Sequence, residues 1–420
     1  MTGPIQLPDA GQRTVFDGDL SAPDPLPEAS IEAAVRLMRD GRLFRYGEDR
    51  HAPPECALLE EEFAAFLGRD YCLGLNSGGC ALFVALRALG VEPGDRVLTN
   101  AFTLAPVPGA IAHAGAVPVL VDIDERYVID IADLERKARE SGARFLMLSC
   151  MRGHIPDMDA VMAVCRRHDI AVVEDCAHTM GADWNGRQSG TFGAVACFST
   201  QTFKHINSGE GGLLVTDDAD VAARAILLSG SYMLYAQHRA RPAMEVFERH
   251  RMAMPNCSMR MSGLSAAILR PQLAEIGQRT TRWREIYAEL APRIDAIDHL
   301  TVPRRPAREG FVPSSLQFSV GDLGEARIGR FLHAADRHGV HIKWFGDDEP
   351  TGFTSRHDHW RYLGRPADVP QADRILRGLC DMRLPLWLTA TDCALVAAVV
   401  AEAMAEALAS EEMRPEGRGA

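Results

Sequence analysis

The chain has 420 residues, of which 47% are hydrophobic and 24% are charged, and its formal net charge is −12. This length can bury a large core, and one large domain with a smaller one is the natural expectation. The excess of 57 acidic over 45 basic residues argues against the basic face of a nucleic-acid-binding protein, and no apolar run is as long as a membrane-spanning helix.

Ten cysteines are scattered along the chain without a C-x-x-C pair. This pattern favours buried, reduced thiols and argues against a structural zinc site. The N-terminus, MTGPIQLPDAGQ, has neither the basic start nor the apolar core of a secretory signal. We therefore expect a cytoplasmic protein with no bound metal, no membrane contact and no nucleic-acid partner.

Alternating helices and strands are predicted along the first 290 residues. Residues 1–26, rich in Pro, Gly and Asp, predict a loose N-terminal arm, and helices are expected at 28–40 and 55–67. The strand candidates that follow are nearly continuous in apolar residues, which is typical of parallel strands covered on both faces. Strand–helix alternation of this kind predicts an open α/β sheet. The predicted strands are 71–76, 96–100, 116–124, 145–150, 170–175 and 211–216.

The C-terminal third has a different pattern. A long helix is predicted over about 263–292, and it leads to strand candidates SLQFSV and HIKWF and a final helix, DCALVAAVVAEAMAEAL. We therefore predict a large domain over 27–290, a smaller α+β domain over 291–410 and a flexible tail at 411–420.

Lysine is rare in this chain, with only Lys137, Lys204 and Lys343 among 45 basic residues. Lys137 lies in the charged stretch LERKARE and is predicted to be solvated. Lys204 lies between an apolar strand and a glycine-rich turn, where a scaffold can present a reactive amine. A desolvated lysine of this kind is a Schiff-base nucleophile, although a surface lysine beside a glycine turn fits the same pattern.

Two further segments place polar groups at the ends of predicted strands. Asp175 ends VVED at the carboxyl edge of the sheet, where ligands bind in α/β folds, and His178 follows three residues later. Asp175 could equally cap a helix. Gly78 and Gly79 in NSGGCAL would let a helix N-terminus approach a phosphate, and Ser199 could add a hydroxyl donor. No P-loop and no G-x-G-x-x-G fingerprint is present.

The segments LEEEFAAFLG, NSGGCALFVALRALGVEPGDRVLTNAFT, GHIPDMDAVMAVCRRHDIAVVEDCAHTMGA and FSTQTFKHINSGEGG follow one another in this order. With these segments the chain resembles the DegT/DnrJ/StrS family of sugar aminotransferases, from about residue 30 to 290 and more loosely to 400. The resemblance implies the fold type I of enzymes dependent on pyridoxal 5′-phosphate (PLP). This fold has a large domain with a mostly parallel seven-stranded sheet covered by helices, and a smaller α+β domain.

The resemblance also implies roles for individual residues. Lys204 would carry PLP as a Schiff base and move a proton, Asp175 would pair with the pyridine nitrogen, and His178 would lie beside the ring hydroxyl. The phosphate would lie at Gly78, Gly79 and Ser199. A homodimer with shared active sites is implied, in which the segment NCSMRM reaches the neighbouring site.

Three positions depart from the usual pattern of that family. Gly79 stands where threonine is common, so one hydroxyl contact to the phosphate is missing. Leu104 replaces an aromatic residue that stacks on the cofactor ring, and leucine provides only dispersion contacts. Ser258 replaces an asparagine of the dimer segment.

The leading hypothesis is an aminotransferase that moves an amino group from glutamate or glutamine to a keto-sugar or keto-cyclitol. A PLP-dependent lyase or dehydratase of the same fold is the second hypothesis, and a non-catalytic regulatory protein is the third. Segments 44–51, 230–258 and 341–362 are predicted to form the acceptor pocket. The last of them could contact an anionic substrate or form a hydrated surface loop.

Overall fold

A computed structural model describes residues 14–47, 53–353, 355–364 and 367–409 of the chain. The predicted N-terminal arm is described from Thr14 onward, and residues 1–13 lie outside the described part. The predicted tail at 411–420 and residues 48–51 of the first acceptor-pocket segment also lie outside it.

Thirteen α-helices are present in the described residues. The helices are α1 Glu28–Asp40, α2 Glu55–Leu67, α3 Gly78–Leu89, α4 Pro106–His113, α5 Ile131–Ser141, α6 Met158–Arg167, α7 Ala219–Gly230, α8 Met244–His250, α9 Gly263–Ala274, α10 Ile276–Asp295, α11 Glu325–Arg337, α12 Pro370–Gly378 and α13 Ala390–Ala409. Five of them, α3, α5, α6, α7 and α9, follow a residue whose side chain accepts a hydrogen bond from the third backbone N–H of the helix, as Ser77 and Asp130 do.

Thirteen strands are described, and seven of them form the central sheet. The strands are β1 Tyr71–Leu75, β2 Arg96–Asn100, β3 Val117–Val121, β4 Phe145–Ser149, β5 Ala171–Asp175, β6 Asp183–Trp184, β7 Arg187–Gln188, β8 Val195–Ser199, β9 Gly212–Thr216, β10 Glu309–Gly310, β11 Ser315–Ser319, β12 Lys343–Trp344 and β13 Leu379–Arg383.

The central sheet has the order β1-β9-β8-β5-β4-β2-β3. Strands β3, β2, β4, β5 and β8 pair in parallel, whereas β9 pairs antiparallel with both β8 and β1. The predicted α/β class with a mostly parallel seven-stranded sheet is thus confirmed. The reversal of β9 follows from chain connectivity, because the 12-residue connection after β8 contains no helix that could return the chain across the sheet.

Both faces of this sheet are covered by apolar side chains. In β4, Leu146 and Leu148 belong to one core cluster, and Phe145 and Met147 belong to the cluster on the opposite face. This alternation follows from the two-residue period of a strand. A strand with apolar residues at every position therefore needs a helical layer on each side, as the sequence predicted.

Two sequence-based predictions are wrong in detail. The long helix predicted over 263–292 is divided into α9 and α10 at Glu275, whose φ of −96° and ψ of 1° depart from helical values. Lys137 is buried rather than solvated, because its ammonium donates to the backbone oxygens of Leu120 and Asp368 and lies 3.1 Å from Asp133. A charged sequence neighbourhood does not predict exposure when backbone acceptors lie within reach.

The C-terminal segment contributes a three-stranded antiparallel sheet with the order β11-β13-β12. We call it the small sheet. Helix α13 packs against α10 and α11, and one core cluster extends from the central sheet into this segment. The two parts therefore share buried apolar contacts, and the domain boundary near residue 290 stays a prediction. Within the described ranges, no helix combines the length and apolar character needed to cross a membrane.

Candidate active site

A cavity of about 340 Å³ opens at the carboxyl edge of the central sheet. Ser149, Asp175 and Ser199 are the last residues of β4, β5 and β8, and all three line it. Because β4 and β5 pair in register, Ser149 lies directly opposite Asp175. The carboxyl ends of adjacent parallel strands are the usual ligand site of an open α/β sheet.

Lys204 reaches this cavity from the turn that follows β8. Its backbone N–H donates to the oxygen of Gln201, and its side-chain nitrogen lies 2.6 Å from Nε2 of His178. The residue is only partly buried, but its amine is enclosed by protein. Burial, together with the positive charge of Arg152, lowers the pKa of Lys204 to about 7. This amine therefore loses its proton more easily near neutral pH than an ordinary lysine does, which favours its action as a nucleophile.

His178 is buried beside the amine, with 5% of its surface exposed. Burial, and then the charge of Lys204, lowers the pKa of His178 well below its usual range. The imidazole is therefore neutral at neutral pH, and Nε2 can accept a hydrogen bond from the amine of Lys204. A neutral acceptor holds the amine in position without adding a second positive charge.

Asp175 is buried at the base of the cavity. One carboxylate oxygen accepts a hydrogen bond from Oγ of Ser149 at 2.9 Å, and the other accepts from the N–H of Ala177 at 3.2 Å. Burial raises the pKa of Asp175 above its usual value, although these hydrogen bonds and the charge of Lys204 act in the opposite direction. A buried carboxylate of this kind favours a cationic partner in the cavity.

The N-terminus of α3 also lines the cavity, through Ser77, Gly78 and Gly79. Ser77 caps this helix by accepting from the N–H of Cys80 at 3.0 Å, and the first-turn N–H groups of a helix have no partner within it. Gly78 lies against Ser199, because a Cβ at position 78 would be 2.8 Å from the Cβ of Ser199. The close packing of Gly78 on Ser199 places a hydroxyl beside the helix N-terminus, and this arrangement suits a phosphate.

Gly79 and Leu104 also line the cavity, at the two positions where the sequence departs from the family pattern. A Cβ at Gly79 would have its nearest neighbour, Cβ of Pro106, at 3.8 Å, so the backbone leaves room for a side chain. Leu104 covers the cavity with an aliphatic side chain packed on a buried cluster. All predicted site residues except Ser258 therefore share one cavity.

Ser258 is exposed and is not among the residues that line the cavity of its own chain. Its φ of 52° lies in the left-handed region, and its hydroxyl lies 3.1 Å from Oδ1 of Asn256. A single chain therefore leaves its predicted cofactor contact untested.

Sequence reasoning missed several residues at the cavity. Ser149 supplies the hydroxyl that binds Asp175, and Gln201 and Glu210 line the wall near Lys204. Ser149 could have been identified from its position at the end of β4, because the sequence predicted that strand correctly. Arg152, whose charge acts on Lys204, follows the same strand by three residues. No group of three His, Cys, Asp or Glu side chains that could hold a metal ion occurs within the described residues.

Comparison with known proteins relates most of the chain to one group of enzymes. Residues 29–344 match the DegT/DnrJ/EryC1/StrS aminotransferase family. A putative L-glutamine:3-amino-2,3-dideoxy-scyllo-inosose aminotransferase of Micromonospora echinospora is 42% identical over 170 residues, which are 40% of each chain. The L-glutamine:scyllo-inosose aminotransferase of Streptomyces griseus is 36% identical over 277 residues, which are 65% of this chain and 64% of the relative.

A solved structure resembles this chain over a larger share of its length than these two relatives do. The crystal structure of 3-amino-5-hydroxybenzoic acid synthase superposes with a TM-score of 0.77 at 26% identity, covering 91% of this chain and 100% of that one. The two curated relatives are matched over 40% and 64% of their own length, which is less than two thirds in both cases.

Proposed function

Because the chain belongs to the DegT/DnrJ/EryC1/StrS aminotransferase family, we propose that it is a PLP-dependent aminotransferase. Its amino donor is glutamine or glutamate, and its acceptor is a keto-sugar or keto-cyclitol. The relatives named for L-glutamine and scyllo-inosose substrates support this choice of donor and acceptor. PLP, when bound, supplies an electron sink for the carbon that carries the amine.

The residues of the cavity fit this cofactor. An anionic phosphate suits the N-terminus of α3 with Gly78 and Ser199, and a protonated ring nitrogen suits the buried carboxylate of Asp175. Nε2 of His178 lies 2.6 Å from the amine of Lys204. The amine of Lys204 is the attachment point. Leu104 covers the cavity in place of an aromatic ring.

Lys204 has a second role in the proposed reaction, as the group that moves a proton. Transamination requires the hydrogen on the donor's amine-bearing carbon to leave as a proton and to be returned at another carbon. Once the donor's amine had replaced it on the cofactor, the free Nζ of Lys204 would take this proton and return it, and burial, which lowers the pKa of this amine, favours the unprotonated form that can accept it. Nε2 of His178, 2.6 Å away, orients the amine.

One observation carries the proposal. The amine of Lys204 and the carboxylate of Asp175 lie in the same buried cavity as a glycine-rich helix N-terminus. These are the three chemical groups that a phosphorylated pyridine aldehyde requires. They come from three separate stretches of chain, and the fold brings them into one cavity.

The test is a half-reaction followed by absorbance. Purified protein loaded with PLP should show the absorption band of a Schiff-base-linked cofactor, which free PLP in the same buffer does not show. We expect L-glutamine or L-glutamate to bleach this band and to yield one equivalent of the matching keto acid. Ammonia release without a ketone acceptor would instead favour the lyase hypothesis. A band that persists with every amine would contradict transamination.

We also propose that the protein is a homodimer, in which residues 256–261 of one copy approach the cavity of the other. Tyr232 and Met233 lie beside this segment, are 58% and 53% exposed and have φ values of 49° and 64°. Arg260 of the segment lies over the ring of Tyr232, and exposed large apolar side chains that lie together are typical of an interaction surface. Sedimentation analysis should give a mass of about twice 45.9 kDa, and a monomer that retains full activity would contradict the dimer.

Ten free cysteines, eight of them buried, support a reducing compartment. We therefore place the enzyme in the cytoplasm.

A further inference from the structure

Asp175 lies at the end of a chain of buried hydroxyl groups. Oγ1 of Thr103 donates to Oγ of Ser149 at 2.7 Å, and Oγ of Ser149 donates to Oδ2 of Asp175 at 2.9 Å. All three residues are buried, and Ser149 and Asp175 line the cavity whereas Thr103 does not. The chain of hydroxyls therefore begins inside the protein and ends at a carboxylate of the cavity wall.

The residues of this chain come from the ends of three adjacent strands. Ser149 and Asp175 are the last, directly opposite residues of β4 and β5, and Thr103 follows β2, which is the neighbour of β4 on its other side. The buried side chain of Asn100, the last residue of β2, fixes the main chain of Ser149. Its Oδ1 accepts from the N–H of Ser149 at 2.9 Å, and its Nδ2 donates to the Ser149 oxygen at 3.0 Å. Ser149 is therefore held through its main chain as well as through its hydroxyl.

The direction of the hydrogen bonds favours a charged carboxylate. Ser149 donates to one oxygen of Asp175 and the N–H of Ala177 donates to the other, and donors of this kind stabilise the ionised form. Ser149 could turn its proton away from Asp175 only by donating to Thr103. The hydroxyl proton of Thr103 would then have no acceptor among the described residues, which is unfavourable for a buried group. Thr103 therefore keeps the hydroxyl of Ser149 directed at Asp175.

Asp175 differs from other buried carboxylates in the kind of partner it has. Those of Glu60 and Asp381 each pair with an arginine, at 2.6 and 2.8 Å, whereas Asp175 forms no ion pair with a described residue. Burial raises the pKa of Asp175, and the hydrogen bonds from Ser149 and Ala177 lower it. Neutral donors thus oppose the effect of burial and leave the negative charge uncompensated.

We propose that Thr103 and Ser149 are positioning residues, which act through Asp175 to hold its carboxylate charged and oriented for the ring nitrogen of the cofactor. This inference deepens the proposed function and rests on it. A hydroxyl donor stabilises the anion without cancelling its charge, so the carboxylate stays available to a cationic partner. A permanent arginine partner, as at Glu60 and Asp381, would instead neutralise it.

The first experiment measures the ionisation of Asp175 in the full-length, cofactor-free protein. The side-chain carboxyl carbons of aspartate are labelled with ¹³C, and the signal of Asp175 is the one lost in Asp175→Asn. Ser149→Ala should move the midpoint of the Asp175 titration to higher pH by about one pH unit, because a hydrogen bond to a buried charge is lost. Thr103→Val should move it less, in the same direction. Ser149→Thr and Thr103→Ser keep the hydroxyl groups and should stay close to the wild type.

The matched control removes an equally buried pair of hydroxyls. Oγ1 of Thr179 and Oγ of Ser189 lie 2.7 Å apart, and neither forms a hydrogen bond with Asp175. Thr179→Val should leave the Asp175 midpoint unchanged, and Thr103→Val should have no further effect once Ser149→Ala is present. An unmoved midpoint in Ser149→Ala, an equal movement in Thr179→Val, or additive effects of Thr103→Val and Ser149→Ala would overturn the proposal. Thermal melting shows whether each variant is folded, and Thr103→Val decides the question if Ser149→Ala is not.

A second measurement uses the PLP-loaded enzyme and needs no turnover. PLP labelled with ¹⁵N at the ring nitrogen reports whether that nitrogen carries a proton. At neutral pH the signal in Ser149→Ala should lie closer to the unprotonated position than in the wild type, because Asp175 then holds the shared proton more strongly. The same signal position in both proteins would contradict the proposal. If no amine bleaches the wild-type band, the aminotransferase function fails, and both measurements still decide the roles of Thr103 and Ser149.

Discussion

Two regions next to each other in the molecule are built in different ways. The central-sheet side of the cavity uses strand ends and a helix N-terminus, so Asp175, Ser199 and Gly78 are positioned mainly by backbone. The small-sheet side, which meets the turn after β4 and does not line the cavity, uses side-chain pairs between residues far apart in sequence, such as Arg152 with Asp381. From this comparison we expect cofactor binding to depend on the first side and not on the second.

The largest expected effect is on the central-sheet side. Lys204→Ala removes both the attachment point and the group that moves the proton, so we expect activity to fall by about 10³-fold or more. Lys343→Ala is the matched control, since Lys343 lies in the small sheet and its amine binds Thr351. Steady-state assays with glutamine check this, and a Lys204→Ala enzyme with more than a tenth of wild-type activity would refute the assignment.

Next in size is the loss of the buried carboxylate. Asp175→Asn keeps the shape of the side chain but removes its charge, and we expect the affinity for PLP to fall and the rate of the first half-reaction to fall roughly 100-fold. Asp381→Asn removes the charge of an equally buried aspartate on the other side. It should leave the affinity for PLP unchanged, as measured by equilibrium titration. A similar loss of PLP affinity in both variants would break the distinction between the two sides.

A smaller effect is expected from pH. An amine attacks an aldehyde only when unprotonated, so the rate of PLP attachment to cofactor-free enzyme should rise about tenfold between pH 6 and 8, through the Lys204 pKa of about 7. The charge of Arg383 lowers this pKa, so Arg383→Gln should shift the rise to higher pH. Stopped-flow absorbance measures both curves. A shift to lower pH in Arg383→Gln would show that the charge of Arg383 does not lower the pKa of Lys204.

The smallest expected effect is an increase in the affinity for PLP. Gly79→Thr adds a hydroxyl where a Cβ meets nothing nearer than 3.8 Å, and one added hydrogen bond should tighten PLP binding about 3- to 10-fold. Gly78→Ala provides the contrast, because its Cβ would lie 2.8 Å from Ser199 and should weaken binding. Equilibrium titration with PLP compares the two. Weaker binding in Gly79→Thr would show that the phosphate lies elsewhere.

The sequence predicted the central-sheet side well because local rules determine it. The apolar strands and the turn at Gly78 and Gly79 are encoded within short segments. Together with the family resemblance, which supplied Leu104 and Ser258, they gave eight predicted site residues, of which seven line one cavity. The side of the small sheet was not predictable in this way. Arg152 meets Asp381 across 229 positions of sequence, and no periodicity or turn signal reports such a pair. The burial of Lys137 was missed for the same reason.

The most direct test of the cofactor site is chemical trapping. Borohydride reduction of the PLP-loaded protein, followed by proteolysis and mass spectrometry, should place a phosphopyridoxyl group on the peptide that contains Lys204. Lys137 and Lys343 should remain unmodified in the same digest. A phosphopyridoxyl group on either of those residues, with Lys204 unlabelled, would contradict the proposed site.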